Sequence, residues 1–341
     1  MKNNNFYFKS SNLKLGDPAT KSGANGGVFL MNNLKEQLQA IKSDTNTYTK
    51  THKTFEEQVE LLKKRNLIIS NEPYCLKKLS HINYYRLSAY FLPLQHTKGS
   101  PEGGMFFDGT TFENILEHYF FDVELRKIVF KAIEAIEVYF RTQIAYHHAL
   151  SYDAFGYLKQ ENFTVSDEFF EKVTSAIREE TSRSSETFID HFKEKYHTTD
   201  LPIWAMVEVV SMSTLSKIYT MLKTKEQQSV IKQLHGVSKD VFSSWLHALT
   251  VIRNICAHHS RFWNKTLGVS FKIPRKISMF ENLVGNKAFF ALSVIAYILD
   301  AIGEDLDFVG EVKGLLKAHP TIDKNAMGFV EGWEDLHVWQ E

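Results

Sequence analysis

The feature that most constrains the fold is a long amphipathic stretch from Phe112 to about Leu150. Its apolar residues recur at helical spacing and form one continuous stripe, while charged and polar side chains occupy the other side. The stripe consists of Leu125, Ile128, Val129, Ala132, Ile133, Ile136 and Phe140. A capping threonine stands at 110 or 111, and Thr110 with Glu113 has the spacing of a capping box. Because a long helix with one broad apolar face needs other long helices beside it, the stretch predicts a helical bundle.

Shorter helical patterns precede and follow this stretch, without a convincing pair of strands or an internal repeat. The chain has only 7 prolines, which suits long helices, and its 43% hydrophobic content is enough for a sizeable core. We therefore expect an all-α fold, a helical bundle with an N-terminal helical extension. The predicted regions are a polar, flexible arm at 1–50, a helical and aromatic segment at 51–96, a helical domain at 110–320 and an acidic C-terminal tail at 321–341.

Two further expectations concern individual helices. Residues 201–222 follow the pattern of a single helix that begins near a proline. In the long helix, Asp122, Glu124 and Arg126 bring charge close to the start of the apolar stripe. These three residues predict a bend at that point.

Several classes of site are not supported by the sequence. The two cysteines, Cys75 and Cys256, form neither a disulfide framework nor a zinc site, and they suit a reducing cytoplasm. The N-terminus lacks an apolar signal core, and the longest apolar run, at 288–299, is too short to span a bilayer of about 30 Å. Glycine-rich nucleotide loops and paired-histidine zinc motifs are missing. We therefore expect a cytoplasmic protein without a metal, a cofactor or a membrane partner.

An unusual polar group lies in the otherwise apolar helical stretch at 245–264. Arg253, Asn254 and His258 form an R-N-x-x-x-H cluster in this stretch. Asn254 and His258 are four residues apart and share a helix face, whereas Arg253 is turned by about 100° from Asn254. Arg253 must therefore reach round the helix to join the other two residues, or face a second molecule.

Charges are unevenly distributed around this cluster. Lysine and arginine equal aspartate and glutamate at 40 each, yet residues 241–280 contain six cations and no acid. From residue 304 to the C-terminus, nine acids face three lysines. A local positive patch is what phosphate binding requires, although six dispersed cations are equally consistent with a solvated face.

Histidine, arginine and a polar amide on one helix suit the cleavage of RNA, because RNA supplies its own nucleophile, the 2′-hydroxyl. The histidine can take or donate a proton near neutral pH, and the arginine can hold the phosphate and its developing charge. The plain alternative is an ordinary core or surface histidine, since the chain has 14 histidines and the spacing alone is common by chance.

The chain also resembles a known family over about Thr54 to Asn264. The matching segments are Ile82–Tyr90, Phe121–Arg126, Ile133–Val138, Leu201–Trp204 and Arg253–Asn264. In this order they resemble the Abi-like abortive-infection proteins, the AbiD/AbiF group of the HEPN superfamily. Ala89 departs from the family pattern, in which a glycine is expected at this packing position.

The resemblance implies a HEPN-type helical bundle with a metal-independent endoribonuclease site, commonly completed across a two-fold homodimer. Such a site leaves a 2′,3′-cyclic phosphate and a 5′-hydroxyl. By position, Arg253 would stabilise the phosphate, Asn254 would orient it and His258 would act as acid or base. The resemblance also implies a phage-defence toxin that a structured, non-coding RNA antitoxin holds in check.

Further residues are expected to contact RNA because they are basic or aromatic, or lie beside the motif. They are Tyr85, Arg86, Arg141, His147, His259, Arg261, Asn264, Lys265, Lys272, Arg275 and Lys276. Two alternatives to the nuclease stay open. One is a non-catalytic RNA-binding module in which the same residues only bind phosphate, and the other is a helical dimerisation scaffold that carries no RNA.

Overall fold

The amphipathic stretch forms one uninterrupted helix of 41 residues, Phe112–Tyr152, in the computed structural model of the protein. The structure describes residues 51–340. The predicted flexible arm at 1–50 lies outside the described residues. The predicted apolar stripe is buried, apart from the half-buried Ile128, which confirms the helical spacing on which the prediction rests.

Thr111, one of the two threonines predicted to cap this helix, is its N-cap residue, but the capping box differs from the predicted one. The hydroxyl of Thr111 accepts the backbone N–H of Asn114, and the Asn114 side chain accepts the N–H of Thr111 in return. Thr110 is not available for this role, because its hydroxyl donates to the carbonyl of Phe107 at 2.7 Å. The capping box is therefore formed by Thr111 and Asn114 rather than by Thr110 and Glu113.

The described part of the chain is all-α, as predicted, and its remaining residues form 3₁₀ turns, isolated bridges and loops. The α-helices, numbered in chain order, are α1 Phe55–Lys64, α2 Glu72–His81, α3 Tyr84–Ser88, α4 Phe112–Tyr152, α5 Asp167–Arg183, α6 Thr187–Tyr196, α7 Ile203–Val209, α8 Met212–Met221, α9 Thr224–Val230, α10 Lys239–Ala257, α11 Ala288–Ile302, α12 Phe308–Ala318 and α13 Lys324–Met327.

Helix α4 lies at the centre of the fold, where it packs against α7, α9, α10, α11 and α12. Helix α11 is buried around most of its circumference, so it is a core helix. No helix within residues 51–340 is both long enough and apolar enough to cross a membrane. The position of α4 explains why its apolar stripe is so broad, since several helices cover it at once.

The prediction of one helix at 201–222 is wrong, because the chain leaves the helical conformation at Val210 and Ser211. Ser211 caps α8, and its hydroxyl accepts the N–H of Thr214. From α5, the Glu180 carboxylate accepts the backbone N–H of Ser211 at 2.6 Å and its hydroxyl at 3.0 Å. A contact from a distant helix therefore stabilises the break, and helical spacing alone does not reveal it.

Helix α4 continues through residues 122–126, where a bend was predicted, so the charged residues there do not interrupt it. Asp122 and Arg126 are buried one turn apart and form an ion pair inside the fold. Glu124 is exposed and pairs with Lys127 at 2.7 Å on the surface. The charged group thus consists of one buried pair and one surface pair.

The segment predicted as an acidic tail, 321–341, packs against the core over most of its described length. Trp339 is fully buried, and its indole N–H donates to the hydroxyl of Ser293 on α11 at 3.0 Å. Phe289 of α11 lies with its ring centroid 5.5 Å from Trp339 and 6.0 Å from Trp333. The acidic residues of the segment up to residue 340 are exposed, so the charge pattern there describes the surface of a packed element.

Candidate functional site

The R-N-x-x-x-H cluster lies at the C-terminal end of α10. Ser238 begins this helix by accepting the N–H of Val241. The helix ends at Ala257, and the N–H of His258 donates to the carbonyl of Asn254 at 3.0 Å. His258 is therefore the C-cap residue, one position beyond the helix in which the sequence placed it.

The chain reverses direction immediately after His258. His259 has a left-handed φ of 55°, which is uncommon for a residue other than glycine. Its N–H donates to the backbone carbonyl of Cys256 at 3.1 Å, and the N–H of Ser260 donates to the backbone carbonyl of Ile255 at 2.9 Å. These two bonds form a Schellman motif, which stops the helix sharply and leaves His258 exposed at its tip.

Arg253 points from α10 towards α4. Its Nε lies 3.9 Å from the Oε2 atom of Glu137, and its guanidinium carbon lies 5.5 Å from the centroid of the Phe130 ring. The side chain is still 40% exposed. Glu137 and Phe130 therefore orient the guanidinium, while a large part of its surface stays accessible to an anion.

Glu137 is shared by two arginines. Its Oε1 atom accepts a hydrogen bond from Nη2 of Arg141, one turn along α4, and both side chains are about nine-tenths buried. Nη1 of Arg141 is buried and has no hydrogen-bond partner among the described residues. Two guanidinium groups around one carboxylate leave an excess of positive charge beside the motif, which favours a phosphate there.

Asn254 and His258 occupy a different side of α10 from Arg253. Both are exposed, and neither side chain makes a hydrogen bond or ion pair within residues 51–340. Five residues separate Arg253 from His258, which corresponds to a rotation of about 140° around the helix axis. The structure therefore brings Asn254 and His258 to one surface, whereas Arg253 faces α4.

A buried carboxylate holds the segment that follows the motif. Asp122 of α4 accepts the backbone N–H groups of Phe262 at 3.1 Å and Trp263 at 2.7 Å, and the Tyr90 hydroxyl at 2.6 Å. It also pairs with Arg126. Burial raises the pKa of the Asp122 carboxyl, and these four partners oppose that effect. This Asp122 network anchors the chain four residues after His258.

The Asp122 network is part of the site that the sequence did not reveal. The signal that could have identified it was the spacing of Asp122 and Arg126, because an acid and an arginine four residues apart suit an ion pair on one helix face. Tyr90 could not be connected to this pair from its position, since it lies 32 residues before Asp122.

A second anchor connects the motif to the short helix α3. Nη1 of Arg86 donates to the carbonyl of His259, and Nη1 of Arg261 donates to the carbonyl of Ala89 at 2.8 Å. Tyr85, next to Arg86, is 85% exposed. Of the predicted RNA contacts, Tyr85, Arg86 and His259 thus lie together, while the guanidinium of Arg261 is engaged in an internal contact.

The remaining predicted RNA contacts are dispersed. Asn264 and Lys265 are half-buried just after the anchored Trp263. The pKa of His147 is lowered chiefly by burial, and the charged groups that act on it are Glu226 and Lys232 rather than residues of the motif. The cations of the basic loop lie beside the first turn of α10, at the other end of that helix: Lys272, Arg275 and Lys276.

Cys256 lies within the motif but is not suited to chemistry. Its side chain is buried, and burial raises the pKa of its thiol to about 12. The thiol therefore stays protonated near neutral pH, and a protonated thiol is a poor nucleophile. The exposed groups at this end of α10 include His258, His259, Asn254 and part of Arg253.

Comparison with known proteins gives one match. The description of the matching family is Abi-like protein, and the match covers residues 77–264, more than half of the chain. A search of curated proteins and a search of solved structures found nothing similar. The matched span includes the Asp122 network, the Glu137–Arg141 pair and the whole of the motif, and it ends before the basic loop. The chain therefore belongs to the Abi-like protein family.

Proposed function

We propose that this protein is an endoribonuclease of HEPN type that acts in phage defence by abortive infection. The observation that carries the proposal is the composition of the end of α10. An exposed imidazole without a described partner, an exposed amide and an arginine held beside excess positive charge all lie within six residues of one helix end. Membership of the Abi-like family supports the role in abortive infection.

The proposed reaction uses only groups that RNA and these side chains provide. The 2′-hydroxyl of the RNA attacks the adjacent phosphorus and loses its proton, while the bond to the 5′-oxygen breaks and that oxygen gains a proton. This produces a 2′,3′-cyclic phosphate and a 5′-hydroxyl end. His258 transfers one of the two protons, and Arg253 stabilises the additional negative charge on the phosphate oxygens. Asn254 donates a hydrogen bond that orients the phosphate.

The direction of Arg253 supports a site formed by two copies of the chain. Within one chain Arg253 faces α4 and His258 faces outwards, so the two groups do not converge on one phosphate. In a two-fold dimer, Arg253 of each copy can approach His258 of the other, and both sites are then complete. We therefore include a homodimer with composite sites in the proposal.

Mixing two inactive variants tests the composite site. Arg253→Ala and His258→Ala proteins are each expected to be inactive alone. After the two proteins are unfolded and refolded together, one site in each mixed dimer regains both groups, so about a quarter of the wild-type cleavage rate should return. Absence of any recovery, with mixed dimers demonstrated by two different affinity tags, would show that each chain forms its own site.

The proposal also includes a structured RNA that inhibits the toxin. Tyr85 supports this, because a tyrosine that is 85% exposed beside Arg86 offers a face on which an RNA base can stack. Arg86 connects this position to the carbonyl of His259. An RNA bound at Tyr85 would therefore lie next to the catalytic end of α10.

The function is tested by incubating RNA-free protein with total cellular RNA in the presence of EDTA. We expect new fragments that carry 2′,3′-cyclic phosphate and 5′-hydroxyl ends, detected by ligation methods selective for those ends. Nucleic acid extracted from the purified protein should contain one discrete RNA, the expected inhibitor. Tightly bound RNA without any new ends would reject the nuclease in favour of the RNA-binding module. If the protein carries no RNA and cleaves none, only the dimerisation scaffold remains as an explanation.

A further inference from the structure

A groove of about 680 Å³ lies between the start of α10 and the loop at 272–276. Three exposed cations line it: Lys272, Arg275 and Lys276. Their side chains make no ion pair and no hydrogen bond within residues 51–340. Asp240 is the acid that lines the groove, and its Oδ1 atom lies 3.2 Å from Nζ of Lys239, with which it forms an ion pair. The groove therefore has an uncompensated positive charge that is open to solvent.

The loop that presents these cations is anchored to α10. The N–H of Lys272 donates to the hydroxyl of Ser244 at 3.1 Å, and the indole N–H of Trp245 donates to the carbonyl of Lys272 at 2.9 Å. Pro274, between two of the cations, is buried. Six cations spread along a flexible surface would suit a solvated face, but a fixed backbone holds these three around one groove. Such a groove concentrates positive potential where an anion can bind.

The groove is remote from the catalytic end of the same chain. Along α10, Arg253 lies 13 residues after Asp240 in the groove, which corresponds to about 20 Å at 1.5 Å per residue, and nine residues after Ser244, which corresponds to about 14 Å. Arg253 points towards Glu137 of α4, so a phosphate that it holds is a different one from a phosphate held in the groove. At roughly 3.4 Å per phosphate along a stacked strand, the longer separation corresponds to about six nucleotides.

We infer that this groove is a second RNA-binding site, which holds the phosphate backbone of the RNA about six nucleotides or more along a stacked strand from the phosphate that is cleaved. The inference rests on the proposed function for the identity of the ligand. It deepens that function by specifying the class of RNA: a strand long enough to run from the catalytic end of α10 to its start. A short oligonucleotide reaches only one of the two sites.

The test compares the binding of short and long RNA to protein that cannot cleave it. In a His258→Ala background, fluorescence anisotropy measures the affinity for one RNA sequence at three and at twenty nucleotides. Without changes in the groove, the longer RNA should bind much more tightly. The gain is the ratio of the affinity for the long RNA to the affinity for the short RNA. Changing Lys272, Arg275 and Lys276 together to alanine should reduce this gain about 100-fold at 0.1 M salt. The same change should lower the slope of log affinity against log salt by about two.

The matched control removes three exposed lysines from other helices, Lys172, Lys195 and Lys317. It changes the net charge equally and should reduce the gain less than about threefold, since dispersed charges bind no phosphate in common. An equal loss in both triple variants, or no loss in the groove variant, would overturn the inference. Cleavage plays no part in this measurement. A protein that never cleaves RNA but shows the length-dependent loss would retain the second site and reject the nuclease.

Discussion

Replacing His258 with alanine is expected to lower the rate of RNA cleavage by roughly 10²–10⁴-fold, the usual contribution of a positioned acid or base. His258 lies at the tip of α10, exposed and without a described side-chain partner, so its removal should cost the fold little. The loss should therefore appear in the rate and leave the free energy of unfolding nearly unchanged. Single-turnover cleavage of an end-labelled RNA and urea denaturation of the same preparations measure the two quantities.

His247→Ala is the matched control, because His247 is also an exposed histidine of α10. The His247→Ala protein should cleave RNA at a rate within about twofold of the wild-type rate, since a histidine remote from the phosphate transfers no proton. A His258→Ala protein that cleaves RNA at the wild-type rate and leaves the same ends would remove His258 from the mechanism. Equal losses in both variants would indicate a general effect of altering the helix.

Replacing Asp122 with alanine is expected to lower the free energy of unfolding by about 3–5 kcal/mol, because it leaves one member of a buried ion pair without its partner. Asp122 is fully buried and pairs with Arg126. Its loss also removes the acceptor of the Tyr90 hydroxyl and of the N–H groups of Phe262 and Trp263. Urea denaturation followed by circular dichroism measures the change.

Three comparisons separate this network from a general loss of charge. Glu124→Ala, which removes an exposed carboxylate from the same helix, should cost no more than about 1 kcal/mol. Asp122→Asn keeps one oxygen acceptor, so its loss of free energy of unfolding should lie between those of Asp122→Ala and Glu124→Ala. This variant can still be measured if Asp122→Ala does not fold. The double change Asp122→Ala with Arg126→Met should recover part of the loss, since no buried charge is left unpaired. Equal stability of Asp122→Ala and Glu124→Ala would contradict the role of the network.

Much of the fold follows from local spacing. The apolar stripe of α4 predicted a long helix whose described extent, 112–152, is close to the predicted one. Residues 201–222 show where this kind of reasoning fails. Their helical spacing continues across Ser211, but a serine can cap a new helix, and Glu180 stabilises that break from 31 residues away. A contact between distant residues therefore outweighed a local preference.

In the candidate site, too, some features follow from local spacing and others depend on contacts between distant residues. The residue types at 253, 254 and 258, together with their rotation around a helix, were sufficient to propose RNA chemistry and to show that Arg253 does not share the face of His258. The anchors of the site could not be read from the spacing. Asp122 lies 140 residues before Phe262, and Arg86 lies 173 residues before His259.

The basic loop at 272–276 shows most clearly why the sequence pattern does not reveal which residues lie together. Its three cations were grouped with the motif because they are close in sequence and belong to one charged stretch. Along α10, however, Arg253 lies about 20 Å from the first turn, and hydrogen bonds with Ser244 and Trp245 hold the loop beside the N-terminal part of that helix. Periodicity and composition describe which side chains one element presents. Which of them meet depends on how the elements pack, and that is decided by contacts between residues far apart in the chain.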